Sequence, residues 1–173
     1  MSASNPRITS TPALADLPPL GAHERDETGE QLQHTLVELI DLSLLGKQLH
    51  WSVIGPFFRP LHLQLDELID SWRELSDTVA ERAVAIGYMP DGQAATVAGE
   101  SPLAGVERGV IEDHVVIREL TRRLAEAAER IRTRMERLGE LDAASEDVVI
   151  EVLRALEMQL WMIRAQRAAG APA

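Results

Sequence analysis

The sequence predicts an all-α fold: a four-helix bundle in which a long crossover joins the second and third helices and carries a short helix. Apolar residues recur at three- and four-residue steps over four long stretches, as helices with one buried face require. Glycine and proline gather in the intervals between them. One interval, Tyr88 to Pro102, is too long for a tight turn and can run the length of a bundle, which sets the second and third helices parallel. The 173 residues suit one domain with a substantial core. The expected divisions are a flexible N-terminal tail over 1–26, the bundle over 27–168, and a short C-terminal tail over 169–173.

The N-terminal segment holds Pro6, Pro12, Pro18 and Pro19 among small polar residues and reads as a mobile tail or a strapped-down extension. The first helix is expected from about Glu27 to Val53, with a buried stripe of Leu32, Leu36, Leu39, Ile40, Ser43, Gly46 and Leu49. Its small residues admit a close neighbour. Gly55, Pro56 and Pro60 end it and turn the chain into the second helix, expected from Arg59 to about Gly87. Within the crossover, Ala94 to Ala98 suits a short helix. The third helix is expected from about Leu103 to Leu138, weak at its start because of Gly105 and Gly109, and stopped by Gly139. Ser145, Glu146 and Asp147 read as the capped, acidic start of the fourth, which continues to about Gln166. Asp142, Glu146, Asp147 and Glu151 gather at that start, where negative charge suits the helix dipole. His34 and His114 lack a ligand pattern and read as ordinary histidines.

The second helix carries the chemistry. Leu61, Leu65, Leu68, Trp72, Leu75, Val79, Ala83 and Ile86 mark its core face. At about 100° per residue, His62, Asp66, Asp77 and Glu81 fall in a sector roughly 100° wide, centred roughly 150° from the apolar one. His62 with Asp66, and Asp77 with Glu81, are i, i+4 pairs, each able to hold an ion. The pairs cannot share one ion within a chain, because Asp66 and Asp77 lie about 16 Å apart along the axis. A two-fold axis resolves this. If the helix crosses a copy of itself antiparallel near Ser71 and Trp72, His62 faces the partner's Glu81 and Asp66 faces the partner's Asp77. One register satisfies both, since 62 + 81 and 66 + 77 both equal 143. Each of two equivalent sites then has one histidine and three carboxylates, and His50 at the end of the preceding helix can add a second imidazole. Such oxygen-rich ligation without thiolate suits iron or manganese, with zinc competing. Carboxylates opposite a core ordinarily form only a solvated helix face; the joint placement of all five residues is what argues for a metal.

The stretch from His50 to Glu67, HWSVIGPFFRPLHLQLDE, followed by Asp77-Thr-Val-Ala-Glu81-Arg82, resembles the signature of the Dps mini-ferritins. The residue types and the spacings 12, 4, 11 and 4 between the five candidate ligands both match. The resemblance covers about residues 28–168. It implies a ferritin-like four-helix subunit, a hollow dodecamer, and ferroxidase sites at two-fold interfaces. One subunit would supply His50, His62 and Asp66, and its mate Asp77 and Glu81. Trp51 would be an aromatic beside the oxidation site, able to intercept radicals. The region of Asp142, Glu146, Asp147 and Glu151 would line a three-fold pore admitting ferrous iron, with Asp147 the best match to the acidic pore position. The expected reaction is oxidation of Fe(II) to Fe(III), with hydrogen peroxide preferred over O2, followed by storage of ferric mineral. That chemistry protects against oxidative stress and needs no organic cofactor. Inward Glu-x-x-His motifs of the usual di-iron bundle are absent, which agrees with a site at an interface.

Composition narrows the classes. There is no cysteine, which excludes disulfides, thiolate metal sites and cysteine catalysis. No apolar run approaches the roughly 18 residues of a membrane span, and the start lacks the pattern of a secretory signal, so a cytoplasmic protein with no membrane partner is expected. The net charge of −11 opposes nonspecific contact with nucleic acid, and the N-terminal segment sets only Arg7 and Arg25 against Asp16, Glu24, Asp26 and the adjoining Glu27. Arg164 and Arg167 make a weak basic patch at the other end. A DNA-binding, nucleoid-associated compacting protein with a mainly structural metal site stands as the alternative, and a metal-free helical oligomer as a third reading.

Overall fold

The computed structural model describes residues 17–167. Seven elements follow one another: α1 (Ala22–Ser52), β1 (Val53–Ile54), α2 (Phe58–Ala85), α3 (Ala94–Glu100), β2 (Ile111–Glu112), α4 (Asp113–Leu141) and α5 (Ala143–Arg164). Most of the expected N-terminal tail, residues 1–16, and the expected C-terminal tail, with residue 168, lie outside the described residues. The helices are the expected ones: four long, and one short within the crossover. The long helices pack as two pairs, α1 with α2 and α4 with α5, closed by contacts of α1 with α4 and α2 with α5. Between them lie the predicted stripes, among them Leu32, Leu39 and Leu49 of α1, Trp72 of α2, Leu124 of α4 and Leu156 of α5, all essentially inaccessible to solvent. Gly46 lets α2 approach: a Cβ there would lie 2.6 Å from Cζ3 of Trp72.

Both ends of the bundle are tied by polar contacts that also establish helix direction. At one end β1 and β2 pair in parallel, Val53 with Ile111 and Ile54 with Glu112, just before α2 and α4 begin. At the other, Arg82 near the end of α2 reaches Asp142 and Ser145 at the junction of α4 and α5. The second and third long helices therefore start at the same end and run parallel, as the length of the crossover predicts. The crossover is pinned on the way: Gln33 exchanges two 2.8 Å hydrogen bonds with the backbone of Asp91.

Three boundaries differ from expectation. The first helix begins at Ala22 rather than Glu27, and Arg25 turns back to hydrogen-bond the carbonyls of Pro18 and Leu20. The third long helix begins at Asp113 rather than Leu103. Residues 103–110 are not helical, Val110 is exposed, and Gly109 adopts a positive φ of 129°. Buried Arg123 instead donates to the carbonyls of Ala104 and Gly105, satisfying the backbone that a helix would have used. Finally, Gly139 does not stop that helix, which continues to Leu141; a glycine inside a helix costs only about 1 kcal/mol, and packing overrides it.

The cap of α5 is Asp142 rather than Ser145. Its carboxylate accepts from the Ser145 N–H (3.1 Å) and hydroxyl (2.5 Å) and pairs with Arg82 at 2.6 Å. Burial alone would raise this carboxyl, but the Ser145 and Arg82 bonds outweigh it and hold it below the ordinary carboxylate value. A group lowered in the folded state stabilises fully above its unfolded value and less as pH falls through the folded one. Asp142→Ala should therefore destabilise the fold by about 1–2 kcal/mol near neutrality. Denaturation of wild type and variant should show that difference shrinking below about pH 4; a difference independent of pH would show that the charge is not what stabilises the cap.

Candidate metal centre

His50 lies in the last turn of α1, and the chain leaves the helix at Val53. Pro60 sits in the first turn of α2, where its missing N–H is harmless. His62 and Asp66 follow, one turn from each other, on the face of α2 turned from the core. The two imidazoles lock each other in place. His50 Nδ1 lies 3.0 Å from the His62 carbonyl, and His62 Nδ1 lies 3.0 Å from the His50 carbonyl. A carbonyl oxygen only accepts, so both Nδ1 atoms carry the hydrogen and each Nε2 is left as the metal-binding atom. The rings stack with centroids 3.6 Å apart and planes inclined by 23°, and Phe58 packs against His62 at 5.0 Å.

Asp66 completes the group. One ligand atom from each of His50, His62 and Asp66 lies within 4.8 Å of the others, a spacing that could hold a metal ion. His50 is buried and the other two are partly exposed, so the group opens outward. Lys47 donates to Asp66 Oδ1 at 2.6 Å, and His50 Nδ1 lies 3.4 Å from the same oxygen. The Lys47 hydrogen bond, aided by the charges of His50, Lys47 and His62, holds the Asp66 carboxyl below its ordinary value although desolvation opposes it. The Lys47 ammonium thus already pairs with the Asp66 charge. Sequence reading passed over both Lys47 and Phe58. The signals were present: Lys47 is the single lysine, three residues before His50 on the same helix, and Phe58 is one turn before His62.

The same face of α2 carries Asp77 and Glu81, both exposed and outside this group. Trp51 is also exposed, at 69%, beside His50 in sequence. Three ligands would leave iron or manganese with open coordination positions.

A family model described as a ferritin-like domain matches residues 29–170. DNA protection during starvation protein from Mycolicibacterium smegmatis is 30% identical over 151 residues, covering 86% of this chain and 81% of that protein. The chain belongs to the Dps family of ferritin-like proteins. DNA protection during starvation protein 2 of Deinococcus radiodurans is 32% identical over 149 residues, but the chain spans only 62% of its length. Among solved Dps structures, the tetragonal form from Mycobacterium smegmatis superposes with a TM-score of 0.86 at 27% identity, covering 95% of this chain and 98% of that one.

Of the four carboxylates at the start of α5, Asp142 is engaged by the cap and the Arg82 pair. Glu146 is partly buried against Gly139, whereas Asp147 and Glu151 are exposed one turn apart. With an ammonium on a candidate ligand, any metal bound here should bind more tightly once that charge is removed. Lys47→Gln should raise affinity for Zn(II) or Co(II) about tenfold. Calorimetric titration at constant ionic strength measures this, and unchanged affinity would show that Lys47 swings clear without cost.

Proposed function

We propose that this Dps protein is a ferroxidase that oxidises Fe(II) at sites shared between two subunits and stores the ferric product in a hollow dodecamer. The observation that carries this reading is the convergence of His50, His62 and Asp66 on the outer face of α2, with Asp77 and Glu81 exposed further along the same helix. In the antiparallel register that sets Asp66 against the partner's Asp77, Asp70 falls opposite the partner's Arg73, since 70 + 73 is again 143. Both are exposed and of opposite charge, so the register pairs charges at the crossing as well as ligands.

The ligand set suits the reaction. Hydrogen peroxide takes one electron from each of two ferrous ions and two protons, and leaves as two molecules of water. Carboxylates stabilise the ferric product, and histidines with Nε2 free complete a mixed nitrogen and oxygen shell. O2 is the alternative oxidant. Trp51, next to His50 in sequence and exposed, would intercept stray radicals, and Asp147 with Glu151 would draw ferrous iron to a three-fold pore. Removing iron and peroxide together protects DNA without touching it, in keeping with a net charge of −11. DNA compaction is the second reading and would appear as salt-sensitive retardation by the intact protein.

Two experiments test the proposal. Protein mixed with Fe(II) and a small pulse of peroxide should elute from a sizing column as a roughly twelve-subunit particle carrying the iron. Iron should be lost in His62→Ala/Asp66→Ala; elution as a monomer, with iron precipitating as in buffer, would sink the reading. Sharing is tested by co-assembly. His62→Ala/Asp66→Ala and Asp77→Ala/Glu81→Ala should each be inactive alone, whereas mixed dimers should regain about half of the sites, because one site of the two then draws every ligand from an unmodified set. Absence of recovery in verified mixed dimers would place all ligands of a site on one chain.

A further inference from the structure

We infer that Asp113 is a positioning residue for the metal centre, setting the start of α2, and through it His62, from across the fold. The inference rests on the metal-site reading above. Asp113 touches none of the proposed ligands, yet it is a carboxylate only 5% exposed. Its Oδ2 accepts the N–H of Phe57, the residue that opens α2, at 2.7 Å, and its Oδ1 accepts the N–H of His114 in the first turn of α4, also at 2.7 Å. One negative charge therefore sits at the N-termini of two long helices, where unpaired N–H groups and helix dipoles both favour it.

The surrounding chain is shaped to this carboxylate. Gly55 has φ 123°, and a Cβ there would lie 2.5 Å from Asp113 Oδ2, so only glycine permits the turn to close over it. The β1–β2 bridge aligns the two segments immediately before the contact. From Phe57 the consequence runs along α2 for little more than a turn. Phe58, the next residue, packs on the His62 ring, and the His62 Nδ1–H must meet the His50 carbonyl while its own carbonyl receives His50. Those contacts tolerate only small shifts of the first turn of α2 relative to the end of α1. Removing the anchor frees that turn, and metal affinity falls because the imidazoles are no longer held in ligating geometry.

Co(II) binding to the assembled full-length protein tests this, read by the visible absorption of the bound ion. The relevant signal is the part that His62→Ala abolishes. Asp113→Ala should weaken that binding about tenfold and alter the shape of the band. Asp113→Asn, which keeps an acceptor for Phe57 but loses the charge, should fall between wild type and Asp113→Ala. Gln33→Ala removes an equally buried tie of the crossover away from the ligands and should leave Co(II) affinity unchanged. Wild-type affinity in Asp113→Ala, or a loss no greater than in Gln33→Ala, would overturn the inference. Should Asp113→Ala not assemble, Asp113→Asn decides, with weakened binding supporting the positioning role and wild-type binding overturning it. A wild type with no Co(II) signal sensitive to His62→Ala would instead remove the metal-site reading itself, and this inference with it.

Discussion

The pair of reciprocal hydrogen bonds between His50 and His62 is the constraint on which the candidate centre depends. Each imidazole donates to the backbone of the other, so neither ring can turn without releasing both, and two helices are joined by the atoms nearest the proposed chemistry. Each bond contributes only about 1 kcal/mol net to stability. Their larger effect is orientational, because they select one tautomer for both rings and aim both Nε2 atoms before any metal arrives.

That local lock is held within a bundle whose halves are joined by charged groups as well as by its apolar core. Glu38 of α1 is fully buried, yet it is met by Arg130 and Arg134 of α4. Trp72 donates to Gln159 of α5, which in turn donates to Ser71. At the two ends, Asp113 and Asp142 each satisfy helix N-termini while joining segments far apart in sequence. Buried groups of this kind are costly when single and tolerated when paired. Here they fix how α1 and α2 sit relative to α4 and α5, and the acidic face of α2 stays outside the core.

Much of this was legible beforehand. The stripes of α1 and α2 follow helical periodicity, and every residue expected on the core face of α2, from Leu61 to Ile86, is buried. The spacing of His62 and Asp66 put them on one face because i, i+4 neighbours on a helix adjoin whatever surrounds it. The start of the third long helix was not legible. Periodicity continued through Val106 and Val110, but the carbonyls of Ala104 and Gly105 are taken up by Arg123 from the next helix, and local pattern carries no record of a donor 18 or 19 residues away. Ser145 looked like a cap by composition, whereas Asp142 serves because Arg82 arrives from another helix to share it.

The sequence by itself determined the all-α class, the parallel second and third long helices, the outward placement of the acidic face and the family to which the chain belongs. These follow from periodicity, loop length and a motif, all of which are properties of neighbours along the chain. Tertiary structure alone decided that Lys47 sits on Asp66, that the two histidines bond to one another's backbone, and that one carboxylate, Asp113, joins the starts of α2 and α4. Each is a contact between a side chain and a group on another element, and its existence depends on where packing of the core brings the two together.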